Sequence, residues 1–407
     1  MPDIHLDSRD LFSWRLIIDE GLFIGRIVRH AEQFPNEAIA LDITALPFIT
    51  VAVHDAIPFI NKKLGLHIPP EDLRVTRIRH MTKSLSSNKM DFYDYLSEAR
   101  AVIDQLNKQF YGGPFPTLLN RFRNNIGITY YGELPCYTTF SSVHLFTKDS
   151  SELLGSSATS FPYEIGYHSA FSGGYLYRFS QSYYADRSVF DVSAFETRSN
   201  DRRFEDLVKK AKFIGCKDDS ISFFLSELLM LLVSVDVLFE AGFFTDAVFI
   251  KYSCLSLDHV ARALQIFTTF ARTHAELDLC TNGFLSEVEG LIPREDKKWI
   301  KRAHPLRNAF MHYDFSEKLV PDSYRCSSSW KMLDIACNNQ MGLDSQGFKF
   351  ELMAVRSKLE RSLCELIAFP RFDPLKVPWG MLSADAIADS VICVAGFPVD
   401  AVCADSQ

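Results

Sequence analysis

The run from Ile221 to Phe244 constrains the fold more than any other stretch of the chain. It is dense in Leu, Phe and Val, and its only charges are Glu227, Asp236 and Glu240. A helix that is apolar on every side must be buried, either at the centre of a bundle or in a bilayer. Three carboxylates would be costly in lipid, so the run reads as the buried helix of a bundle and not as a membrane span. The segments around it carry helical patterns as well. Helices are expected near 203–213, 220–241, 245–273, 276–291, 293–303, 305–315 and 347–369, with Gly215 and Gly242 separating the first three. Residues 316–347 read as a long loop, and the stretch from Arg371, with its three prolines, as loosely packed chain.

The first half is mixed. A helix is expected over 11–31 and a short strand over 38–43, while 46–64 is apolar and ambiguous because Pro47 and Pro58 interrupt it. Pro69-Pro70 marks a loop, and Arg74, Arg77, Arg79, His80 and Lys83 form a basic patch beyond it. Residues 89–111 give the clearest amphipathic pattern. Phe92, Leu96, Ala99, Ile103, Leu106 and Phe110 recur at steps of four and three, between an Asn88 cap and Gly112-Gly113. From about 127 to 195 Tyr, Phe, Ser and Thr dominate. Strands are expected at 129–131 and 137–145, a loop at 150–160, and a hairpin at 171–175 turning on Gly173-Gly174. The fold class that follows is α+β and mainly helical. A mixed region over 1–199 (helical over 1–126, strand-rich over 127–199) carries a small antiparallel sheet, a helical bundle follows over 200–370, and a tail over 371–407.

Composition narrows the function classes. With 407 residues, 47% of them hydrophobic and 23% charged, the chain has the make-up of a soluble globular protein. A net charge of -8 argues against general, charge-driven binding to nucleic acid, though not against a local basic site. Nine cysteines occur singly, with no C-x-x-C pair and no Cys/His spacing suited to zinc, so no metal site is expected. Such scattered thiols suit a reducing, cytoplasmic setting. The opening MPDIHLDSRD lacks the apolar run of a signal peptide. No Gly-rich phosphate loop, H-E-x-x-H or G-x-S-x-G is present, and no cofactor is expected.

The chemistry concentrates in Lys301–Phe315, KRAHPLRNAFMHYDF. Pro305 suits the first turn of a helix, so a helix is expected to restart there and to offer unpaired amides to an anion. Arg307 and Asn308 fall in that turn, and Asn308 and His312 share a face at i and i+4. A guanidinium grips phosphate, an imidazole moves protons near neutral pH, and an amide one turn away fixes the ring. These are the parts needed to cleave a phosphodiester without a metal. Lys301, Arg302 and His304 sit just upstream and are candidates for binding RNA. The plainer alternative makes Arg307 a surface charge, Asn308 a cap and His312 a satisfied imidazole. Polar residues inside the long helices, Glu227, Asp236, Lys251, Asp258 and His259, either line the site or make contacts within the bundle.

Arg307-Asn308-Ala309-Phe310-Met311-His312-Tyr313 resembles the R-x4-6-H signature of HEPN domains, over a region of roughly 200–370. The resemblance implies a helical bundle, a metal-independent endoribonuclease and a homodimer whose two Arg307/His312 motifs converge on one RNA strand. It also implies an effector of antiviral defence, a toxin or a stress response, with residues 1–199 sensing a trigger or binding a regulatory partner. Toxin members often place a Tyr two positions after the His, where this chain has Asp314. The alternative is a non-catalytic HEPN-like module that binds RNA, a nucleotide or a protein.

Overall fold

The structure, a computed structural model, describes residues 7–35, 37–66, 68, 92–111, 126–141, 173–321 and 329–370. The protein is mainly helical with one small antiparallel sheet, an α+β fold. The first half contributes α1 (Ser8–Gln33), α2 (Ala38–Leu64), α3 (Phe92–Tyr111), strands β1 (Ile126–Tyr131) and β2 (Leu134–Thr138), and a helix over 173–183, α4. Strand β3 (Thr197–Arg202) follows, then α5 (Phe204–Phe213), α6 (Asp219–Glu240), α7 (Asp246–Thr273), α8 (Asn282–Gly290), α9 (Arg294–His312), α10 (Ser329–Met341) and α11 (Ser345–Ile367). The sheet order is β2-β1-β3, and β1 pairs with β3 from Ile126 opposite Arg202 to Tyr131 opposite Thr197.

The helices α6 and α7 form an antiparallel hairpin at the centre. Asp218 caps α6 by accepting from the Ser220 amide, and Thr245 caps α7 by accepting from the Val248 amide. Gly242, at φ 81°, lets the chain reverse between them. Helix α7 packs on α1, α3, α8, α9 and α11, while α6 packs on α2, α3, α5, α11 and β2. One continuous hydrophobic core results, running from Phe12 in α1 to Phe369 after α11. Helix α6 and residues 40–64 are long and apolar enough to cross a membrane by length and composition, and 83% of the apolar window of each is buried inside the protein.

Several expectations are corrected. Residues 38–43 are not a strand but the start of α2. Ala38, Ala40, Leu41, Ile43, Ala45 and Leu46 are buried in close succession, and an Ala-rich segment surrounded by core favours a helix. Pro47 and Pro58 lie inside that helix. The hairpin at Gly173-Gly174 is instead the beginning of α4, where Gly173 packs against Ile24 and Ile49. The reason lies in α1: a methyl group at Gly21 would meet the Leu176 carbonyl, and one at Gly25 would meet Phe190 and Tyr177. Bare backbone at these two positions lets α4 lie close against α1. Of the expected strand over 137–145, Tyr137 and Thr138 pair, residues 139–141 turn helical, and 142–145 lie outside the described residues. The helix expected over 276–291 begins at Asn282, after a short 3-10 turn at Ala275–Leu277. The expected loop over 316–347 contains α10. The basic patch at 74–83, the 150–160 loop and the tail lie outside the described residues.

Two charge clusters lie in the core, the first fully enclosed and the second with its carboxylates part-exposed. Glu20 of α1 and Lys251 of α7 form an ion pair of 2.7 Å with no exposure on either side chain. The Lys251 ammonium also donates to the Tyr313 hydroxyl at 2.8 Å, Tyr313 donates to Glu20, and the Tyr252 hydroxyl lies 2.6 Å from Glu20 Oε1. Every polar atom thus finds a partner, as buried charge requires. The second cluster centres on fully buried Arg356 of α11, which donates to Asp236 and Ser253 at 2.8 Å and pairs with Glu360 at 3.3 Å.

Candidate active site

The motif helix α9 runs without a break from Arg294 to His312, with Pro305 inside it. The expected restart at Pro305 is therefore corrected, and the anion site of a helix N-terminus does not arise there. Packing is the physical reason. Ile300, Ala303, Leu306, Phe310 and Met311 are buried, and holding that face against the bundle outweighs the proline's cost. Glu295 and Asp296 occupy the first turn, as the helix dipole favours.

Helices α7 and α9 lie side by side and close a ring of four side chains. Arg307 Nη1 donates to Asn308 Oδ1 at 3.0 Å. That bond fixes the amide orientation, so Asn308 Nδ2 faces His304 Nε2 at 3.2 Å. His304 Nδ1 lies 3.1 Å from Asp258 Oδ1. Asp258 Oδ2 returns to Arg307 Nε in an ion pair of 3.3 Å. Read as neutral, His304 satisfies both neighbours by donating from Nδ1 and accepting at Nε2. His259 joins from α7, with its Nε2 2.9 Å from Arg307 Nη2. Arg262, one turn after Asp258, pairs with that carboxylate at 3.1 Å. Its Nη2 is 3.1 Å from both nitrogens of His304, which places the cation over the imidazole face and not in line with either lone pair.

Burial divides the ring. Asp258 and Arg307 keep 8% and 9% side-chain exposure, whereas His304 keeps 31% and Arg262 43%. The anchor is therefore inside and the imidazole sits at the rim. A cleft behind the ring is walled by Cys254, Leu257, Trp299 and Leu352 and is too narrow for a nucleobase. Burial holds the Cys254 thiol far above the usual range, so it is not a nucleophile at neutral pH.

The residues singled out from sequence fall in different places. Arg307 and Asn308 are together in the ring. His312 is exposed in the last turn of α9, with no hydrogen bond or ion pair to the described residues. His304, Asn308 and His312 follow one another at steps of four and so form one stripe along α9. Of the candidate RNA contacts, His304 belongs to the ring. Arg302 donates to the Gln340 carbonyl at 3.2 Å and ties α9 to the end of α10. Lys301 is exposed, without a bond to the described residues. Asp258 and His259 stood out in the sequence only as polar residues in an apolar helix. Arg262 did not stand out, although its i, i+4 spacing from Asp258 was the available signal. Among the described residues no group of His, Cys, Asp and Glu is arranged to hold a metal ion. Comparison of the chain with protein-family models, curated proteins and solved structures finds no match.

Proposed function

We propose that the chain is a metal-independent endoribonuclease of HEPN type, working as a homodimer in antiviral defence or a stress response, with residues 1–199 receiving the trigger. The observation that carries this reading is the stripe His304–Asn308–His312 on α9, two imidazoles either side of an amide, with Arg262 and Lys301 beside it. Such a stripe suits cleavage by the RNA's own 2′-hydroxyl. The O2′–P bond forms and the P–O5′ bond breaks. The His312 imidazole of one protomer takes the 2′-proton, and the His312 imidazolium of the other returns a proton to the leaving 5′-oxygen. The products are a 2′,3′-cyclic phosphate and a 5′-hydroxyl. Arg307 acts chiefly by fixing Asn308 and Asp258, and Arg262 supplies exposed positive charge for the phosphoryl oxygens.

A second reading, a non-catalytic HEPN-like module that binds RNA, a nucleotide or a protein, is favoured by one observation. The Arg307 guanidinium is buried and engaged by Asp258, His259 and Asn308. The discriminating experiment is RNA cleavage in EDTA by the wild type, His312→Ala, His304→Gln and Arg307→Ala, each checked for native circular dichroism. Cleavage by the wild type that drops at least a hundredfold in His312→Ala supports the nuclease. A folded wild type that binds RNA without cleaving it, with and without candidate triggers, moves the assignment to the binding module.

A further inference from the structure

Among the described residues the chain pairs with itself at one position outside the sheet. Cys216, just ahead of α6, and Cys280, just ahead of α8, face each other in an isolated antiparallel bridge. The bridge is closed on both sides. The Lys217 amide donates to the Leu279 carbonyl at 2.9 Å, and the Thr281 amide donates to the Gly215 carbonyl at 2.9 Å. The hydrogen bonds therefore flank the two cysteines instead of joining them. That is the non-hydrogen-bonded kind of pair, with Cα atoms about 4.5 Å apart and both side chains on one face. A disulfide spans Cα separations of about 4.4–6.8 Å. Gly215 holds this register: at φ 114° it lies against Thr281, and a Cβ there would collide with the threonine side chain.

We propose that Cys216 and Cys280 form a thiol-oxidation site that closes into an intramolecular disulfide. The oxidant is a small disulfide such as oxidised glutathione. Cys280 is half-buried and Cys216 is 3% exposed, so the oxidant meets Cys280 first. The Cys280 thiolate attacks one glutathione sulfur, expels one glutathione thiolate and leaves a mixed disulfide. The Cys216 thiolate then attacks the Cys280 sulfur and expels the second glutathione. Two cysteine thiols are oxidised, one glutathione disulfide is reduced, and the two cysteine protons end on the two glutathiones. In the reduced protein the Cys216 thiol donates to the Asp218 carbonyl at 3.2 Å, and it leaves that bond to react.

Burial pushes the Cys216 thiol up to about 12 and the Cys280 thiol up to about 11. Lys217 and Asp278, paired with each other at 2.5 Å, face Cys280; Asp218, Ser222 and Cys280 itself face Cys216. Thiolate is therefore scarce at neutral pH, and oxidation quickens about tenfold per unit between pH 7 and 9. The bond would fasten the open end of the α6–α7 hairpin, whose other end is the tight turn at 241–245.

The test treats the full chain with oxidised glutathione at pH 8.5, blocks remaining thiols with N-ethylmaleimide and maps unreduced peptides by mass spectrometry. The expected result is a Cys216–Cys280 cross-linked pair, two hydrogens lighter than the sum of its peptides, together with a raised Tm. Cys280→Ser loses both. Cys216→Ser stops at glutathione on Cys280, which supports the order of attack. Recovery of both peptides only as separate maleimide or glutathione adducts, from wild-type protein with native circular dichroism, overturns the proposal.

Discussion

Replacing Asp258 by alanine would leave the buried Arg307 guanidinium without its carboxylate. Breaking a buried pair from one side costs about 3–5 kcal/mol, whereas removing both partners costs far less. Asp258→Ala is thus expected to lower the urea midpoint steeply, and Asp258→Leu combined with Arg307→Met to recover most of the loss. An equal loss in single and double variants would mean that the pair is not coupled. His312 is exposed, so His312→Ala should change stability by no more than about 0.5 kcal/mol, which makes it the cleaner probe of cleavage. Buried carboxyls, Asp19 and Glu360 among them, pull stability down as pH rises, opposed below about pH 6.5 by His30, which burial holds below its ordinary value. Burial raises Asp19 to about 6 against the pull of Arg15, and Glu360 to about 8 against the pull of Arg356. Their values in the unfolded chain are about 3.9 and 4.3. Between those limits the native state holds protons that the unfolded state has lost, so both groups make stability fall as pH rises. Urea midpoints should decline from about pH 6.5 to 8, and Glu360→Gln should flatten the decline. A midpoint that rises over that range would contradict the protonated carboxyls.

At the scale of elements, α9 crosses Pro305 only because its neighbours hold it. Proline in a helix interior costs about 3 kcal/mol relative to alanine, partly offset by its stiffer unfolded chain. Pro305 is exposed, so Pro305→Ala removes no packing and should raise stability by roughly 1–2 kcal/mol, read as a higher Tm. Gly21→Ala should act in the opposite direction. Its methyl group meets the Leu176 carbonyl and Ser180 Oγ, and overpacking of this kind costs about 1–3 kcal/mol. The long helices α1, α3, α6, α7 and α11 were legible because each carries many turns of apolar periodicity. The glycines at 173–174 point equally to a turn and to a helix, because close helix packing and a tight turn both call for glycine. Strand β3, Thr197–Arg202, has no apolar residue and gave no signal. Helix α10 follows a serine-rich stretch whose composition reads as loop. In the site, Arg307 and Asn308 were legible from their spacing. Their partners Asp258, His259 and Arg262 lie on another helix, and only packing brings them near.

Across the whole molecule, composition changes near residue 200 while the core does not. Glu20 is the countercharge of Lys251, Ser13 donates to the Tyr313 carbonyl at 2.8 Å, and the rings of Phe12 and Phe315 are 4.5 Å apart. The first helix thereby grips the chain just past the motif. Thermal unfolding of the full chain should be a single transition, and residues 200–370 expressed alone, with Lys251 uncompensated, should show no cooperative transition in calorimetry. Two separate transitions would refute this coupling. Tyr313 extends the same logic to time. It ends α9 in the left-handed conformation at φ 49°, yet it is buried and bonded on both its carbonyl and its hydroxyl. Helix ends ordinarily fray and exchange their amide hydrogens within a small opening free energy. Here the amides of Phe310 to Tyr313 should exchange only when the whole protein opens, so that an imidazole open to water rides on one of the slowest stretches of backbone in the chain.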